Sequence, residues 1–404
     1  MFPTFKTFEY HTPGRKVFGI NTVDNITEYL KKYIAPSGKA IIVTDPTIAK
    51  IGHAQRVADA LVKGGYTYAI YEYAVPEPND KDCDAAVEFA RKEGGNFVIG
   101  VGGGSTMDIA KVTAQLLVLP GNTKDYLPSF VFPKKGAPFV AITTTAGTGS
   151  ECTQYAIVNF SEDNIKGFFN DPNILADLAI VDPTLLLNTP SKVTAATGVD
   201  ALSHAIEASL SNCASPVTDA LAIKAIALLA EALPVAVYDT DNLDARVKVA
   251  YGSFLAAEAF QDAGIVEGHA LAHTLGSVYH VPHGVACAIG LPYVMEINMG
   301  HRMEKLVEIG AAMGVKVEGL SNRDAALATI MHVKQFIVDV GLPYKWDHIG
   351  KREDFPKIIE MMSDCFWITA FYLWGERTIT KEIATELVER SFTGRIGDGI
   401  AYNM

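Results

Sequence analysis

Four short apolar runs, Lys39 to Asp45, Tyr66 to Tyr71, Phe97 to Val101 and Phe139 to Ile142, alternate with segments of helical spacing such as Ile51 to Val62 and Asp82 to Lys92. Strands separated by helices cannot pair as hairpins. They must lie parallel, and a parallel sheet needs helices over its faces. The pattern predicts an N-terminal open α/β domain. After the strand-like Leu178 to Pro183 the texture changes, and long Ala- and Leu-rich windows follow: Ser191 to Leu210, Asp219 to Leu233, Leu243 to Gln261 and Arg323 to Val340. Their apolar positions recur at helical spacing, which predicts an all-α second domain. A chain of 404 residues has room for two domains. The boundary is placed at Leu187, giving an α/β domain over 1–187 and a helical domain over 188–404, with Ser191 expected to cap the first helix.

Composition excludes several partners. Hydrophobic residues make up 49% and charged residues 20%, the balance of a packed globular protein. A net charge of −12 repels a polyphosphate backbone and an anionic membrane surface, so neither nucleic acid nor membrane is an expected partner. The first sixteen residues, MFPTFKTFEYHTPGRK, hold no continuous apolar stretch, and no run elsewhere reaches the roughly 18 uncharged apolar residues of a membrane span. A cytoplasmic chain is expected. The cysteines, Cys83, Cys152, Cys213, Cys287 and Cys365, are odd in number and scattered, which predicts reduced thiols packed as small apolar residues.

The run Phe97 to Val101 leads directly into Gly102-Gly103-Gly104-Ser105-Thr106-Met107-Asp108, a glycine-rich turn opening a helical segment. Free backbone N–H groups there bind phosphate, and glycine lets a pyrophosphate approach the chain. A tight turn without a ligand would need fewer glycines. Asp45 closes the first run, where a carboxylate can accept hydrogen bonds from a ribose and repel a 2′-phosphate, which favours NAD over NADP. The order is unusual, since the acid ordinarily follows the glycine loop. If both contact one cofactor, the sheet must be a variant of the usual one. A second polar turn, Thr143 to Glu151, follows Phe139 to Ile142 and can donate to a cofactor or satisfy itself.

Asp200 and His204 stand one helical turn apart, so both side chains leave one face. A divalent ion or a mutual hydrogen bond would account for that pair. Four of the ten histidines, His269, His273, His280 and His283, then cluster among alanines and leucines, which points to a metal or catalytic site. His269 and His273 share a face and are equally plausible ligands, while His283 lies beyond a glycine and a proline and could fold back. Ala270 stands where a metalloprotease H-E-x-x-H motif has its glutamate, which argues against hydrolysis. Imidazoles with a carboxylate suit Fe(II) or Zn(II).

Together, Gly102-Gly103-Gly104-Ser105-x-x-Asp108-x-Ala110-Lys111, Thr144 to Glu151, Ala195 to Glu207 and His269-Ala270-Leu271-Ala272-His273 to Pro282-His283-Gly284 closely resemble the iron-containing alcohol dehydrogenases, in order and over most of the chain. The resemblance implies the dehydroquinate-synthase-like architecture of that family: a cofactor domain, a helical domain and a metal in the cleft between them. It places the metal ligands on Asp200, His204, His269 and His283 and puts His273 beside the nicotinamide as the catalytic side chain. It places cofactor contacts on Asp45, Gly102, Gly103, Gly104, Ser105, Asp108, Thr144, Thr145, Thr148, Thr153 and Lys166. Departures fall at Thr143, where the family has proline, at Asp262 and Glu267, and at Gly375-Glu376-Arg377; these bear on the substrate.

The expected chemistry is interconversion of a small alcohol and its aldehyde or ketone. Hydride passes to or from NAD, a metal polarises the oxygen, and His273 relays the proton. A homo-oligomer is expected. Competing readings are a dehydroquinate-synthase-like lyase, a metal-free maleylacetate-type reductase, a metal hydrolase without nicotinamide and a non-enzymatic assembly protein. The lyase would need basic phosphate-binding residues beside the metal motif, and no such cluster is evident.

Overall fold

A computed structural model describes residues 8, 10–12, 14–35, 37–162, 165–364 and 379–397, without side chains at 127, 128, 165, 166 and 364. The chain divides into two compact units. One is Thr12–Leu187; the other begins at Asn188 and takes in the described residues ahead of Thr12. The sequence pattern assigns those leading residues to the α/β domain. They group with the helices because the His11 amide donates to Asp262 (2.8 Å) and the Tyr10 hydroxyl to Glu258 (3.3 Å).

The first unit is built on strands β1 (Arg15–Phe18), β2 (Lys39–Thr44), β3 (Thr67–Tyr71), β4 (Phe97–Gly102), β5 (Phe139–Thr143) and, after a ribbon of β6 (Tyr155–Phe160) and β7 (Ile165–Asn170), β8 (Leu178–Val181). Six of them form one sheet in the order β1-β8-β5-β4-β2-β3, and every pairing in it is parallel. Helices α1 (Ile26–Tyr33), α2 (Pro46–Lys50), α3 (His53–Lys63), α4 (Asp80–Glu93) and α5 (Gly104–Leu116) connect them. Alternate side chains of the central strands enter separate cores. Ile41, Val43 and Val98 pack with Val87 and Val112 on one face, while Ile42, Ile99 and Val140 pack with Val57 and Leu61 on the other. Burying each such side chain contributes about 1.5–3 kcal/mol before conformational entropy is subtracted.

The predicted strands are all present. Three others, β1, β6 and β7, leave no clear signal in the pattern. β1 is four residues long with two cations, RKVF, and β7, IKGFFN, is interrupted by Gly167, whose missing side chain makes room for the Phe160 ring across the ribbon.

The second unit contains helices α6 (Ser191–Leu210), α7 (Pro216–Tyr238), α8 (Leu243–Ala263), α9 (Glu267–Tyr279), α10 (His283–Ala312), α11 (Asn322–Asp339), α12 (Phe355–Asp364) and α13 (Lys381–Thr393). Ser191 does not cap α6. Pro190 holds the cap position and Ser191 is the first helical residue. α7 is longer than its predicted window because Ser215 and Thr218 form a reciprocal cap ahead of it. It is also long and apolar enough to cross a membrane, with 44% of its most apolar window buried inside the protein. Asp219 on this helix meets Lys305 at 2.9 Å. α10 packs against α6 and α9, and this three-helix junction carries the histidines.

Candidate functional site

The sheet order explains the inverted arrangement of acid and glycine loop. From β2 the chain crosses outward to β3, and from β4 it crosses the opposite way to β5, so β2 and β4 flank the point where the winding reverses. Ligands of open α/β sheets bind beyond the strand C-termini at such a point. Thr44 lies beside Val101 and Gly102 beside Thr143. Asp45, the glycine loop and the threonine turn therefore leave three adjacent strands at the same end.

Gly103 caps α5 with extended backbone, and the helix begins at Gly104. A side chain at Gly104 would collide with Thr148, its Cβ falling 2.8 Å from the threonine methyl. The two turns thus touch, and the Thr144 amide donates to the Gly102 carbonyl (2.9 Å). The Thr144 and Thr145 hydroxyl oxygens are buried, with no hydrogen-bond partner among the described residues. Two such groups beside free helix-terminal amides fit a bound polar ligand. Ser105 accepts from the Glu77 amide (3.3 Å). Asp45 caps α2, its Oδ1 accepting from the amides of Thr47 (2.9 Å) and Ile48 (3.0 Å).

Asp108 and Thr153 are buried. Asp108 accepts from the Ser150 hydroxyl (3.2 Å), and the fully buried Lys111 donates to Ser150 (2.8 Å) and to the Tyr155 carbonyl (2.5 Å). This chain of bonds ties α5 to the threonine turn. Burial lowers the Lys111 pKa to about 8, with the Asp108 and Glu151 charges opposing the shift. The backbone of Lys166 pairs with Asn159 in the ribbon. Its side chain lies outside the described atoms, as do all of Cys365 and Gly375-Glu376-Arg377.

In the helical unit, α6 presents Asp200, His204 and Glu207 from one face, since they recur at helical spacing. α9 presents His269 and His273. It ends at His280, whose left-handed backbone (φ 54°) reverses the chain so that α10 opens at His283. A side chain at Gly284 would strike the Ala196 carbonyl, so its absence lets the start of α10 reach α6.

These folds bring three imidazoles to one carboxylate oxygen. Asp200 Oδ1 lies 3.6 Å from His283 Nε2, 3.7 Å from His269 Nε2 and 3.9 Å from His204 Nε2. The distances are too long for good hydrogen bonds, and this oxygen is buried with no such partner. They are the separations of donors arranged around one ion about 2.0–2.2 Å from each. Burial works against the ionised Asp200 carboxyl, but His204, His283 and His269 together hold its pKa well below the usual range. The donor set fits a divalent cation.

Two further side chains, Glu207 and Cys287, stand at the cluster. Glu207 Oε1 lies 2.7 Å from His269 Nδ1, and its Oε2 accepts from the Val266 amide (2.8 Å). A carboxylate can only accept, so Nδ1 carries the proton and Nε2 is left to face the cluster. Its signal was the spacing Asp200, His204, Glu207. Cys287, which the sequence suggests is only a packed thiol, stands at the cluster. Its sulfur lies 3.6 Å from His283 Nε2 and 3.7 Å from His269 Nε2, and burial pushes its pKa up to about 12. Its signal was the one-turn spacing from His283.

His273 is mostly buried, with its ring centroid 5.0 Å from that of His283 and 6.4 Å from that of His269. His204 is stacked between Phe260 (4.2 Å) and His269 (4.6 Å). Asp262 and Glu267 have structural partners: the first accepts from the His11 amide, and the second accepts from Asn298 Nδ2 (2.9 Å).

A mostly parallel α/β unit joined to a helical unit with a carboxylate and imidazoles at one point defines a metal-dependent enzyme class. The model of "Iron-containing alcohol dehydrogenase" matches residues 13–183, and that of the "Fe-containing alcohol dehydrogenase family, C-terminal" matches 194–380. The chain belongs to the iron-containing alcohol dehydrogenase family, and is an oxidoreductase interconverting alcohols and their carbonyl compounds. It is 41% identical to long-chain-alcohol dehydrogenase 1 of Geobacillus thermodenitrificans over 306 residues, 75% of this chain and 77% of that one. It is 35% identical to the NAD-dependent methanol dehydrogenase of Bacillus methanolicus over 345 residues, 85% and 90% of the two chains. The solved structure of 1,3-propanediol oxidoreductase superposes with a TM-score of 0.90 at 34% identity, over 96% of this chain and 100% of that one.

Proposed function

We propose that this protein oxidises a small alcohol, or reduces the matching aldehyde or ketone, with NAD(H) and one Fe(II) ion, for which Zn(II) is the alternative. The observation that carries the reading is the buried, unpartnered Asp200 Oδ1 facing three imidazole nitrogens at 3.6–3.9 Å. A divalent ion supplies Lewis-acid polarisation of the alcohol or carbonyl oxygen, and the dinucleotide supplies the hydride acceptor or donor. Asp200, His204, His269 and His283 would hold the ion, and Glu207 keeps His269 in the tautomer that directs Nε2 inward. His273, beside the His283 ring, takes the alcohol proton toward solvent and returns it in the reverse direction. Ala270, Leu271 and Ala272, all fully buried, keep water from the α9 side of the cluster.

In the α/β unit the amides of Gly102 to Ser105 receive the pyrophosphate, with Thr144, Thr145, Thr148 and Thr153 around it. Asp108 positions the threonine turn through Ser150. Asp45 accepts from the adenosine ribose and disfavours a 2′-phosphate. Lys166 is retained as a cofactor contact on the resemblance alone. NAD dependence accords with the name of the Bacillus methanolicus relative. The −12 charge disfavours nucleic acid and an anionic membrane surface as partners, and a cytoplasmic homo-oligomer is part of the proposal on the resemblance alone.

The test is replacement of His269 or His283 by alanine, with bound metal and NADH formation from a panel of alcohols measured together. Each variant is expected to lose the metal and at least about 10³-fold in rate, the worth of several kcal/mol of Lewis-acid stabilisation. A metal-free variant with full activity would sink the reading.

A further inference from the structure

We propose that Cys287 is an additional, sulfur ligand of the metal centre, joining Asp200, His204, His269 and His283 in a mixed oxygen, nitrogen and sulfur donor set. The proposal rests on the metal reading above and concerns what kind of centre it is. α10 sets His283 and Cys287 one turn apart on one face. One donor atom from each of Asp200, His269, His283 and Cys287 lies within 4.8 Å of all the others. With metal–nitrogen bonds of about 2.0–2.1 Å and metal–sulfur bonds of about 2.3 Å, donors at near-tetrahedral angles have a sulfur-to-nitrogen edge of about 3.6 Å. The two observed edges are 3.6 and 3.7 Å.

A thiol donating to one imidazole would explain one of these separations. It would not explain why the sulfur stands equally far from two ring nitrogens, or why the neighbouring carboxylate oxygen is buried and unpartnered. A cation at the shared point explains both. On binding, the S–H bond gives way to a metal–sulfur bond and the proton leaves to solvent, with no change of oxidation state. His204, 3.9 Å from Asp200 Oδ1, remains among the donors, so the thiolate makes the set five. A thiolate shifts the preference of such a site from harder ions toward Zn(II) and its spectroscopic stand-in Co(II).

The experiment uses the full-length protein, stripped of metal and reloaded anaerobically with one equivalent of Co(II). The wild type is expected to show thiolate-to-cobalt charge transfer in the near ultraviolet, and the Zn(II)-loaded form X-ray scattering from sulfur at about 2.3 Å. Cys287→Ala should lose both signals, keep the visible bands of nitrogen- and oxygen-bound Co(II), and bind Zn(II) on the order of 100-fold more weakly. Cys213→Ser should change neither. A wild type that binds one Co(II) with only nitrogen and oxygen donors overturns the sulfur ligand and leaves the metal centre standing. Failure to bind any divalent ion overturns the metal reading itself. Should Cys287→Ala not fold, the wild-type spectra decide alone.

Discussion

Glu207 shows how one side chain outside the donor set can govern it. The carboxylate is almost fully buried and holds both His269 Nδ1 and the Val266 amide. Removing it would leave an imidazole N–H and a backbone N–H without acceptors and free the ring to rotate. Glu207→Ala is expected to weaken metal binding about 10- to 100-fold, the usual cost of losing such a partner, as read by chelator competition with Zn(II). Glu207→Gln keeps an acceptor for His269 but turns an amide N–H toward Val266, so its loss should be intermediate. If Glu207→Ala binds metal like the wild type, Glu207 does not orient His269. Spacing alone left His269 and His273 equal, and the resemblance separated them. Glu207 and Cys287 were legible only as residues on the same helical faces as the ligands, because whether a glutamate turns inward depends on α9, which lies some 60 positions away in the chain.

At the scale of elements, α5 and the threonine turn act as one unit because Lys111 is buried between them. Lys111→Met would leave the Tyr155 carbonyl without its donor and is expected to destabilise the protein by about 1–3 kcal/mol. The effect should depend on pH. The folded pKa of about 8 lies below the unfolded value of about 10.4. Between them the unfolded chain binds more protons, so this lysine's contribution to stability rises with pH. Urea denaturation of both proteins should therefore show the wild-type advantage growing from about pH 8 to pH 10.4, and a gap that is flat or shrinks there contradicts the assignment. The central strands were legible because each is an uninterrupted apolar run buried on both faces. β1 and the β6–β7 ribbon were not, since an edge strand can carry cations and a glycine-bearing strand loses the regularity on which pattern reading depends.

For the whole molecule, the change in texture near residue 187 falls where the chain divides into two compact units. What the sequence did not carry was that the first described residues belong with the helices, because that depends on two hydrogen bonds to α8 across some 250 positions. Two compact units carrying different candidate sites imply separable ligand effects. The proposed metal donors lie on α6, α9 and α10, so an ion there would cross-link three helices and stabilise only the state in which they are assembled. The loops proposed to hold the dinucleotide follow β2, β4 and β5, so its binding would stabilise the sheet. At a ligand concentration 100 times its dissociation constant, either effect is worth about 2.7 kcal/mol. Hydrogen exchange read by mass spectrometry should therefore respond in two separate places. Chelation should speed exchange in α6, α9 and α10 by roughly 100-fold, the rate equivalent of that energy, while β2, β4 and β5 change little. Saturating NAD in the chelated protein should slow exchange around Gly102 to Ser105 and Thr144 to Thr148 and leave the three helices fast. Uniform acceleration over the whole chain on chelation would mean that the two units open as one, and that the metal stabilises the entire molecule rather than the junction that binds it.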